Sequence, residues 1–232
     1  MTVGNRIFLQ RNLQAAPYVE AFRTLPAAVV ADCMSRLPAL TCDIRLMSNP
    51  SHSVMCGLAV TVKARSGCNL MLHKAMDMAG KGDVIVVSNE GDRSQALMGE
   101  VMTTWARQRG IEGLVLDGSI RDIEGISKMD YHLYAAGITP GGPFKDGPGE
   151  INVPIACGNI HVSPGDIILG DYDGVIVIPR EDAAQILEAA QAYLIVDERN
   201  FALAQRGELE REWIDPWLAG KGVEVIDGRY QG

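Results

Sequence analysis

The chain has 232 residues, of which 47% are hydrophobic, so it is long enough to bury a sizeable core in one large domain or two small ones. Its formal net charge is -8 and its pI is about 5.0, and the sequence has no cluster of lysines and arginines of the kind that nucleic-acid-binding proteins carry. Apolar runs stay well short of the ~18 residues of a membrane span, and no apolar segment follows the first residues, so we expect neither a membrane helix nor a signal peptide.

The five cysteines are odd in number and include no CxxC pair. Disulfides are rare in reducing compartments, and a buried cysteine is a common small core residue. We therefore expect free thiols and a cytoplasmic protein.

Hydrophobic periodicity and turn residues predict helices that alternate with strands in the first half of the chain. We expect a helix over 25–37 with Pro26 near its first position, a strand over 55–64, a helix over 69–79, a turn and buried strand over 82–88, and a polar loop over 89–93. The next helix is expected to start between residues 94 and 99 and to end at Gly110. A strand over 114–117 follows, and Gly118 is predicted to form a turn.

The second half of the chain contains more turn residues. A helix-turn stretch is expected first, then a loop rich in glycine and proline over 139–154. Residues 161–179 alternate apolar runs with turn residues, which predicts short antiparallel strands. A long amphipathic helix is expected from about residue 180 to about residue 205. We predict one α/β domain over 1–232, in which 207–232, with Trp213 and Trp217, is an arm on its own domain or on a neighbouring subunit.

The most informative feature is Glu100 followed, after twenty intervening residues, by the pair Arg121 and Asp122. Because neighbouring parallel strands end at the same edge of a sheet, we expect the loop before the Glu100 helix and the turn with Arg121 and Asp122 to meet in one crevice. A carboxylate there can bind a divalent cation, and a guanidinium can bind a carboxylate or an oxyanion. The free N–H groups of the helix N-terminus also favour an anion. The set suits a small α-keto acid that chelates a metal.

Each of these residues also has a simpler interpretation. Glu100 is otherwise a solvated helix residue, and Arg121 and Asp122 are otherwise an ordinary helix start. Asp117 is either an acid behind the site or a residue that caps the turn before Gly118.

Two other polar features have alternatives of their own. His73 lies on a predicted helix face, where a histidine is usually a core or surface residue. The polar loop over 144–152 is either a lid or a plain surface loop.

The sequence lacks the motifs of several other kinds of catalytic and binding site. The four histidines have no metal-ligand spacing, which argues against a zinc site. The sequence has no GxGxxG after a strand, no GxxxxGK[ST] and no GxSxG, which argues against a dinucleotide site, a P-loop and a nucleophile elbow. Any bound metal would then have carboxylates and water as ligands, which favours Mg²⁺ or Mn²⁺.

Several stretches combine into a pattern that is typical of one family: residues 82–87, 99–100, 109–122, 164–166 and 170–179. Through them the chain, from about residue 26 to about residue 191, resembles the RraA-like proteins. These include the 4-hydroxy-4-methyl-2-oxoglutarate / 4-carboxy-4-hydroxy-2-oxoadipate aldolases and the regulator of ribonuclease activity A. The resemblance implies a swivelling β/β/α-type domain with a C-terminal helix, assembled as trimers or dimers of trimers with sites between subunits.

The metal-dependent members of this family carry an acid, twenty intervening residues and then Arg-Asp. The resemblance therefore implies that Asp122 is the direct metal ligand and that Arg121 binds the keto acid and stabilises its enolate. Glu100 would hold water bound to the metal. The backbone that would receive the substrate carboxylate is that of Gly99, Glu100, Val101 and Met102.

The chain departs from the aldolase pattern at two positions. Glu100 stands where the pattern has Asp, and Gly125 stands three residues past the metal ligand, where the pattern has an acid; Glu124 lies one residue too early. The family also takes an acid from a neighbouring subunit, for which Asp197 and Glu198 are both candidates. We expect these departures to affect which substrate the site accepts more than whether it binds a metal.

The predicted function is a class II, divalent-metal-dependent pyruvate aldolase. It would cleave a 4-hydroxy-2-oxo diacid to pyruvate and a second oxo acid, with oxaloacetate decarboxylation as a side activity. The alternative is a regulatory protein that binds a ribonuclease without required catalysis. A third interpretation, a menaquinone methyltransferase, lacks the glycine-rich cofactor loop. Expected partners are Mg²⁺ or Mn²⁺, a small 2-oxo acid and further copies of the chain in a homotrimer or dimer of trimers, with neither nucleic acid nor a membrane.

Overall fold

A ten-stranded mixed sheet and a two-stranded sheet organise the chain in the computed structural model, which describes residues 3–230 and 232. The strands are β1 (Asn5–Ile7), β2 (Arg45–Leu46), β3 (Met55–Ala64), β4 (Asp83–Ser88), β5 (Ala96–Met98), β6 (Gly113–Ile120), β7 (His132–Ile138), β8 (Gly149–Ile151), β9 (Ile155–Cys157), β10 (Ile160–Val162), β11 (Ile167–Gly170) and β12 (Val175–Ile178). The helices are α1 (Val19–Phe22), α2 (Ala27–Cys33), α3 (Leu70–Met78), α4 (Glu100–Gln108), α5 (Ile123–Ile126), α6 (Ala183–Arg206) and α7 (Ile214–Gly220), and a 3-10 turn spans Ala16–Tyr18.

Four parallel strands form the middle of the larger sheet. Its order is β1-β8-β3-β4-β6-β7-β2, and β3, β4, β6 and β7 run parallel to one another. Strand β11 pairs antiparallel with β3 and β12, whereas β5 pairs parallel with the end of β6. Every residue of β4 is buried, and β3 is buried except at Lys63. Such continuous burial is typical of central parallel strands that are covered on both faces.

Side chains of the central strands alternate between two hydrophobic clusters. In β4, Ile85 and Val87 pack with Leu72 of α3 and other apolar side chains, whereas Val84 and Val86 pack with Ile168 of β11 and its neighbours. Successive side chains of a strand point to opposite faces of the sheet. The sheet therefore has one core on each face, and its edges and strand ends are left to carry polar groups.

Most of the predicted elements are confirmed, and so is the α/β class. Strand 55–64 is β3, helix 69–79 is α3 with its two end residues as caps, and the strand that ends at residue 88 is β4. The late apolar runs include the antiparallel pair β11 and β12, and the long helix is α6. Helix α2 ends four residues earlier than residue 37, because Ser35 and Arg36 adopt left-handed backbone angles, φ 57° and 64°.

The sequence pattern does not predict β5, β7 or β8. Strands β5 and β8 have three residues each, and β7 includes an Ala-Ala-Gly stretch of weak strand formers. The turn predicted at Gly118 is wrong, because β6 continues to Ile120. Asp117 consequently lies inside a strand and caps no turn.

The chain divides into two compact units, one up to Tyr193 and one from Leu194 onward, and the division falls inside α6. The second unit contains the rest of α6 and the short helix α7. Trp213 and Trp217 are 60% and 64% exposed. The description of residues 207–232 as an arm of a single domain stays a prediction.

All five cysteines are free thiols, and three of them, Cys56, Cys68 and Cys157, are buried. Over residues 3–230 and 232, no helix combines the length and the apolar character that crossing a membrane requires.

We expect Tyr134→Phe to lower the free energy of unfolding by about 1 kcal/mol, because it removes one buried hydrogen bond. The Tyr134 side chain is fully buried in β7, and its hydroxyl donates to the backbone oxygen of Asp171 at 2.9 Å. Urea unfolding measures the change, with the exposed Tyr172→Phe as the control. Tyr134→Ala should cost about 3–5 kcal/mol through the cavity that it leaves; equal losses for the Phe and Ala variants would contradict this account.

Candidate functional site

A short parallel pairing brings the two halves of the candidate site together. Strand β5 runs beside the end of β6, with Met98 opposite Ile120. The N–H of Arg121 then donates to the backbone oxygen of Met98 at 3.0 Å. As a result, Gly99, the first residue after β5, lies beside Arg121 and Asp122, the first two residues after β6.

Asp122 adopts a left-handed conformation, φ 61° and ψ 37°, directly before α5. Its carboxylate Oδ2 accepts a hydrogen bond from the N–H of Glu100 at 3.1 Å, so it caps the first turn of α4 from another segment. A Cβ atom at Gly99 would lie closer than 3.0 Å to this oxygen, so Gly99 leaves room for the carboxylate. Non-glycine residues with such angles are uncommon and cluster at functional sites.

The Glu100 side chain crosses the same junction from α4 toward α5. A Cβ atom at Gly125 would stand 2.7 Å from Oε1 of Glu100 and closer still to the other carboxylate oxygen, so the Glu100 carboxylate occupies the space above Gly125. The two departures from the aldolase pattern thus meet in space. The longer acid at one position fills the volume that the missing side chain leaves at the other.

A cavity of about 280 Å³ opens beside this junction. The predicted site residues Gly99, Val101, Met102, Arg121 and Asp122 line it, whereas Glu100 stands next to it without lining it. The other polar and charged lining residues are Asn69, His73 and Lys145.

Asn69 is 2% exposed and lies at the start of α3. Its Nδ2 donates to the backbone oxygen of Leu97 at 2.8 Å, but its buried Oδ1 has no hydrogen-bond partner among the described residues. An unpaired buried acceptor costs about 1–3 kcal/mol. A ligand or water that donates a hydrogen bond in the cavity would remove that cost.

Backbone donors and side-chain cations surround the same cavity. The N–H groups of Val101 and Met102 lie in the first turn of α4 and donate to no described backbone or side-chain acceptor. The Arg121 side chain is 47% exposed, and its Nε approaches Asp122 Oδ2 only to 3.8 Å. Lys145 adds a second cation. The cavity therefore combines donors for anions with the carboxylate of Asp122, and the Glu100 carboxylate stands next to it.

The positive charge of Lys145 affects the pKa of His73. Burial lowers the pKa of its imidazole, and the nearby Lys145 cation lowers it further, whereas Asp77 opposes the change. Burial and a like charge both disfavour the imidazolium form and favour the neutral ring.

The residues present fit a hard divalent cation that keeps most of its water. Among residues 3–230 and 232, no group of three or more His, Cys, Asp or Glu side chains has a metal-binding arrangement. Asp122 and Glu100 nevertheless place two carboxylates at one junction. Mg²⁺ typically binds proteins through one or two carboxylates and several waters, so a complete cage of side chains is not required.

A larger cleft of about 820 Å³ lies at the opposite end of the parallel strands, where β6 and β7 begin. Three of its charged side chains, Arg23, Glu112 and Asp130, are already paired with protein groups. The Arg23 guanidinium contacts Glu112 and donates to the Cys56 backbone oxygen at 2.8 Å, and Asp130 accepts hydrogen bonds from Ser51. We therefore place the chemistry at the smaller cavity.

Sequence reasoning misses two polar residues of the cavity, Asn69 and Lys145. An asparagine just before a helix is the ordinary signal for an N-cap, but Asn69 makes no capping hydrogen bond and contacts Leu97 instead. Lys145 belongs to the loop over 144–152, whose second part is the buried strand β8. That loop is thus neither a free lid nor a plain surface loop.

Comparisons with known proteins agree on one family. A family model described as RraA-like (Aldolase/RraA) matches residues 27–177. A Halalkalibacterium halodurans protein named "Putative 4-hydroxy-4-methyl-2-oxoglutarate aldolase" is 39% identical over 181 residues, which are 78% of this chain and 85% of that protein.

Solved structures show the same fold. An uncharacterised protein from Pseudomonas syringae superposes with a TM-score of 0.70 at 26% identity, over 83% of this chain and 94% of that chain. The RNA-processing inhibitor RraA from Thermus thermophilus superposes with a TM-score of 0.60 at 27% identity, over 66% of this chain and 92% of that chain. The RraA-like fold predicted from the sequence is confirmed.

We expect Lys145→Met to raise the pKa of His73 and to leave it below the ordinary value of a histidine, because the substitution removes the cation but keeps the burial. Titration of the histidine resonances by NMR measures the change. His132 is the internal control, because burial lowers its pKa without Lys145 nearby. An unchanged His73 pKa would contradict the placement of Lys145 at the cavity.

Proposed function

The chain belongs to the RraA-like (Aldolase/RraA) family, and on this premise we propose that it is a divalent-metal-dependent lyase. It cleaves a 4-hydroxy-2-oxo diacid to pyruvate and a second oxo acid. One observation carries the proposal: Arg121 and Asp122 meet the first turn of α4 at a cavity that also contains unpaired hydrogen-bonding groups.

The arrangement supports a substrate with two carboxylates. The N–H groups of Val101 and Met102 suit the carboxylate next to the keto group, as at other helix N-termini. Arg121 suits the keto oxygen, where negative charge develops. Lys145, on the other wall of the cavity, suits the distal carboxylate.

Asp122, with Glu100 through water, would hold Mg²⁺ or Mn²⁺, which when bound polarises the keto oxygen and lowers the pKa of coordinated water. Asp122 is suited to this because its backbone angles aim its carboxylate at the start of α4 and not along β6. Its hydrogen bond to the Glu100 N–H fixes one carboxylate oxygen, and the other oxygen stays available.

The chemistry requires a proton to leave the C4 hydroxyl, the C3–C4 bond to break and a proton to return to C3. The bonding electrons pass to the keto acid as an enolate, which Arg121 stabilises by charge. We assign the proton transfers to Glu100, whose carboxylate lies over Gly125 in the Asp122 turn. Oxaloacetate loses CO₂ through the same enolate, so its decarboxylation should be a side activity.

Other parts of the proposal concern the assembly. We infer a homotrimer or a dimer of trimers in which Asp197 or Glu198 of a neighbouring copy completes the site, and a cytoplasmic location. Both acids belong to α6, and glutamine or asparagine at each in turn separates the two candidates by activity.

We expect release of pyruvate from 4-hydroxy-4-methyl-2-oxoglutarate and from oxaloacetate when Mg²⁺ or Mn²⁺ is present, and loss of release with excess chelator. A coupled lactate dehydrogenase assay measures it. Absence of pyruvate from every 4-hydroxy-2-oxo diacid and from oxaloacetate would end the proposal.

Asp122→Asn and Arg121→Ala should each lower kcat by about 10²-fold or more, because each removes charge that acts on the developing enolate. Arg107→Ala, an exposed arginine of α4, is the matched control and should keep full activity. Circular dichroism and thermal melts check that all three variants fold. An active Asp122→Asn enzyme would refute the metal assignment.

A second candidate function is inhibition of a ribonuclease by direct binding. The similarity to RraA from Thermus thermophilus supports it. A pull-down of the ribonuclease distinguishes it: binding by Arg121→Ala and Asp122→Asn at wild-type strength, with no pyruvate from the wild type, would favour the regulator over the lyase.

A further inference from the structure

The junction of α4 and α5 contains two carboxylates that each lie over a glycine of the other segment. Asp122 occupies the space above Gly99, and Glu100 occupies the space above Gly125. The two contacts differ in how they are held. Asp122 is fixed by the Glu100 N–H, whereas the Glu100 carboxylate accepts no side-chain or backbone hydrogen bond from the described residues.

The position of the Glu100 carboxylate therefore depends on packing. All three atoms of the carboxylate group would lie within 2.7 Å of a Cβ atom at position 125, a distance that real Cβ atoms do not reach. Gly125 is not among the glycines with a positive φ angle. Its backbone conformation alone therefore does not require glycine. The nearest atoms to a Cβ at position 125 all belong to the Glu100 carboxylate, which ends an exposed and flexible side chain, so a side chain at position 125 would be accommodated by moving that carboxylate.

We propose that Gly125 is a positioning residue, which acts on the reaction by admitting the Glu100 carboxylate to the Asp122 turn. The catalytic consequence rests on the proposed function, but the positional statement does not. A methyl group at position 125 expels the carboxylate from the space over the turn of residues 122–125. Asp at position 100 carries its carboxylate one methylene closer to the backbone, so we expect it to need less of the space over residue 125 than Glu100 does.

Gly125→Ala tests this inference in three measurements. A crystal structure of the metal-free variant should show the Glu100 carboxylate displaced from residue 125. Calorimetric titration should show Mn²⁺ binding weakened by about tenfold or more, as for the loss of other groups that orient metal ligands. Kinetics with Mg²⁺ should show a lower kcat with little change in KM.

Rescue by a second change separates positioning from a general structural defect. Adding Glu100→Asp to Gly125→Ala should recover part of the Mn²⁺ affinity and of kcat, so that the double variant exceeds Gly125→Ala alone. Gly80→Ala is the matched control, because its new methyl group meets only Asp83 Oδ2 at an ordinary 3.4 Å. Thermal melts confirm that each variant folds.

Any one of three results overturns the inference. They are a Glu100 carboxylate that stays over Ala at position 125, an unchanged Mn²⁺ affinity, and a double variant no better than Gly125→Ala alone. If the wild type neither binds Mn²⁺ nor releases pyruvate, the proposed function fails, and the crystal structure of Gly125→Ala still decides whether Gly125 positions Glu100.

Discussion

The site depends on one hydrogen bond, from the N–H of Glu100 to the carboxylate of Asp122. It forms because β5 pairs with the end of β6, so that two chain segments emerge together. The same bond orients an acid that would otherwise follow its strand into solvent, and it caps α4. A bond between the segments thus fixes both the helix start and the proposed metal ligand, and the cavity lies where they diverge.

Close packing at this junction explains why small and charged residues alternate there. Gly99 and Gly125 provide space, and the carboxylates of Asp122 and Glu100 fill it. The Asp122 carboxylate also approaches the Arg121 guanidinium, at 3.8 Å, and its second oxygen stays available for a further partner.

The sequence predicts β3, β4, the first half of β6, and the meeting of the Glu100 helix with the Arg121 turn, but it does not predict β7. The predicted features follow from periodicity and from the rule that parallel strands end at one edge. It is not sufficient for β5, which has three residues and merges with the helix pattern that follows. Asn69 and Lys145 also escape prediction, because their roles arise from contacts between distant segments and leave no local pattern. The packing of Glu100 over Gly125 is of the same kind, since it depends on the relative placement of two helices.

The assignment of Asp122 to the metal and of Arg121 to the enolate can be tested by a crystal structure with Mn²⁺ and oxalate, a stable mimic of the pyruvate enolate. Anomalous scattering locates the metal without ambiguity. We expect Mn²⁺ bonded to the Asp122 carboxylate at about 2.0–2.2 Å, oxalate in contact with Arg121, and Glu100 within reach of a coordinated water. Mn²⁺ bound only in the cleft with Glu112 and Asp130, or oxalate bound away from Arg121, would contradict it.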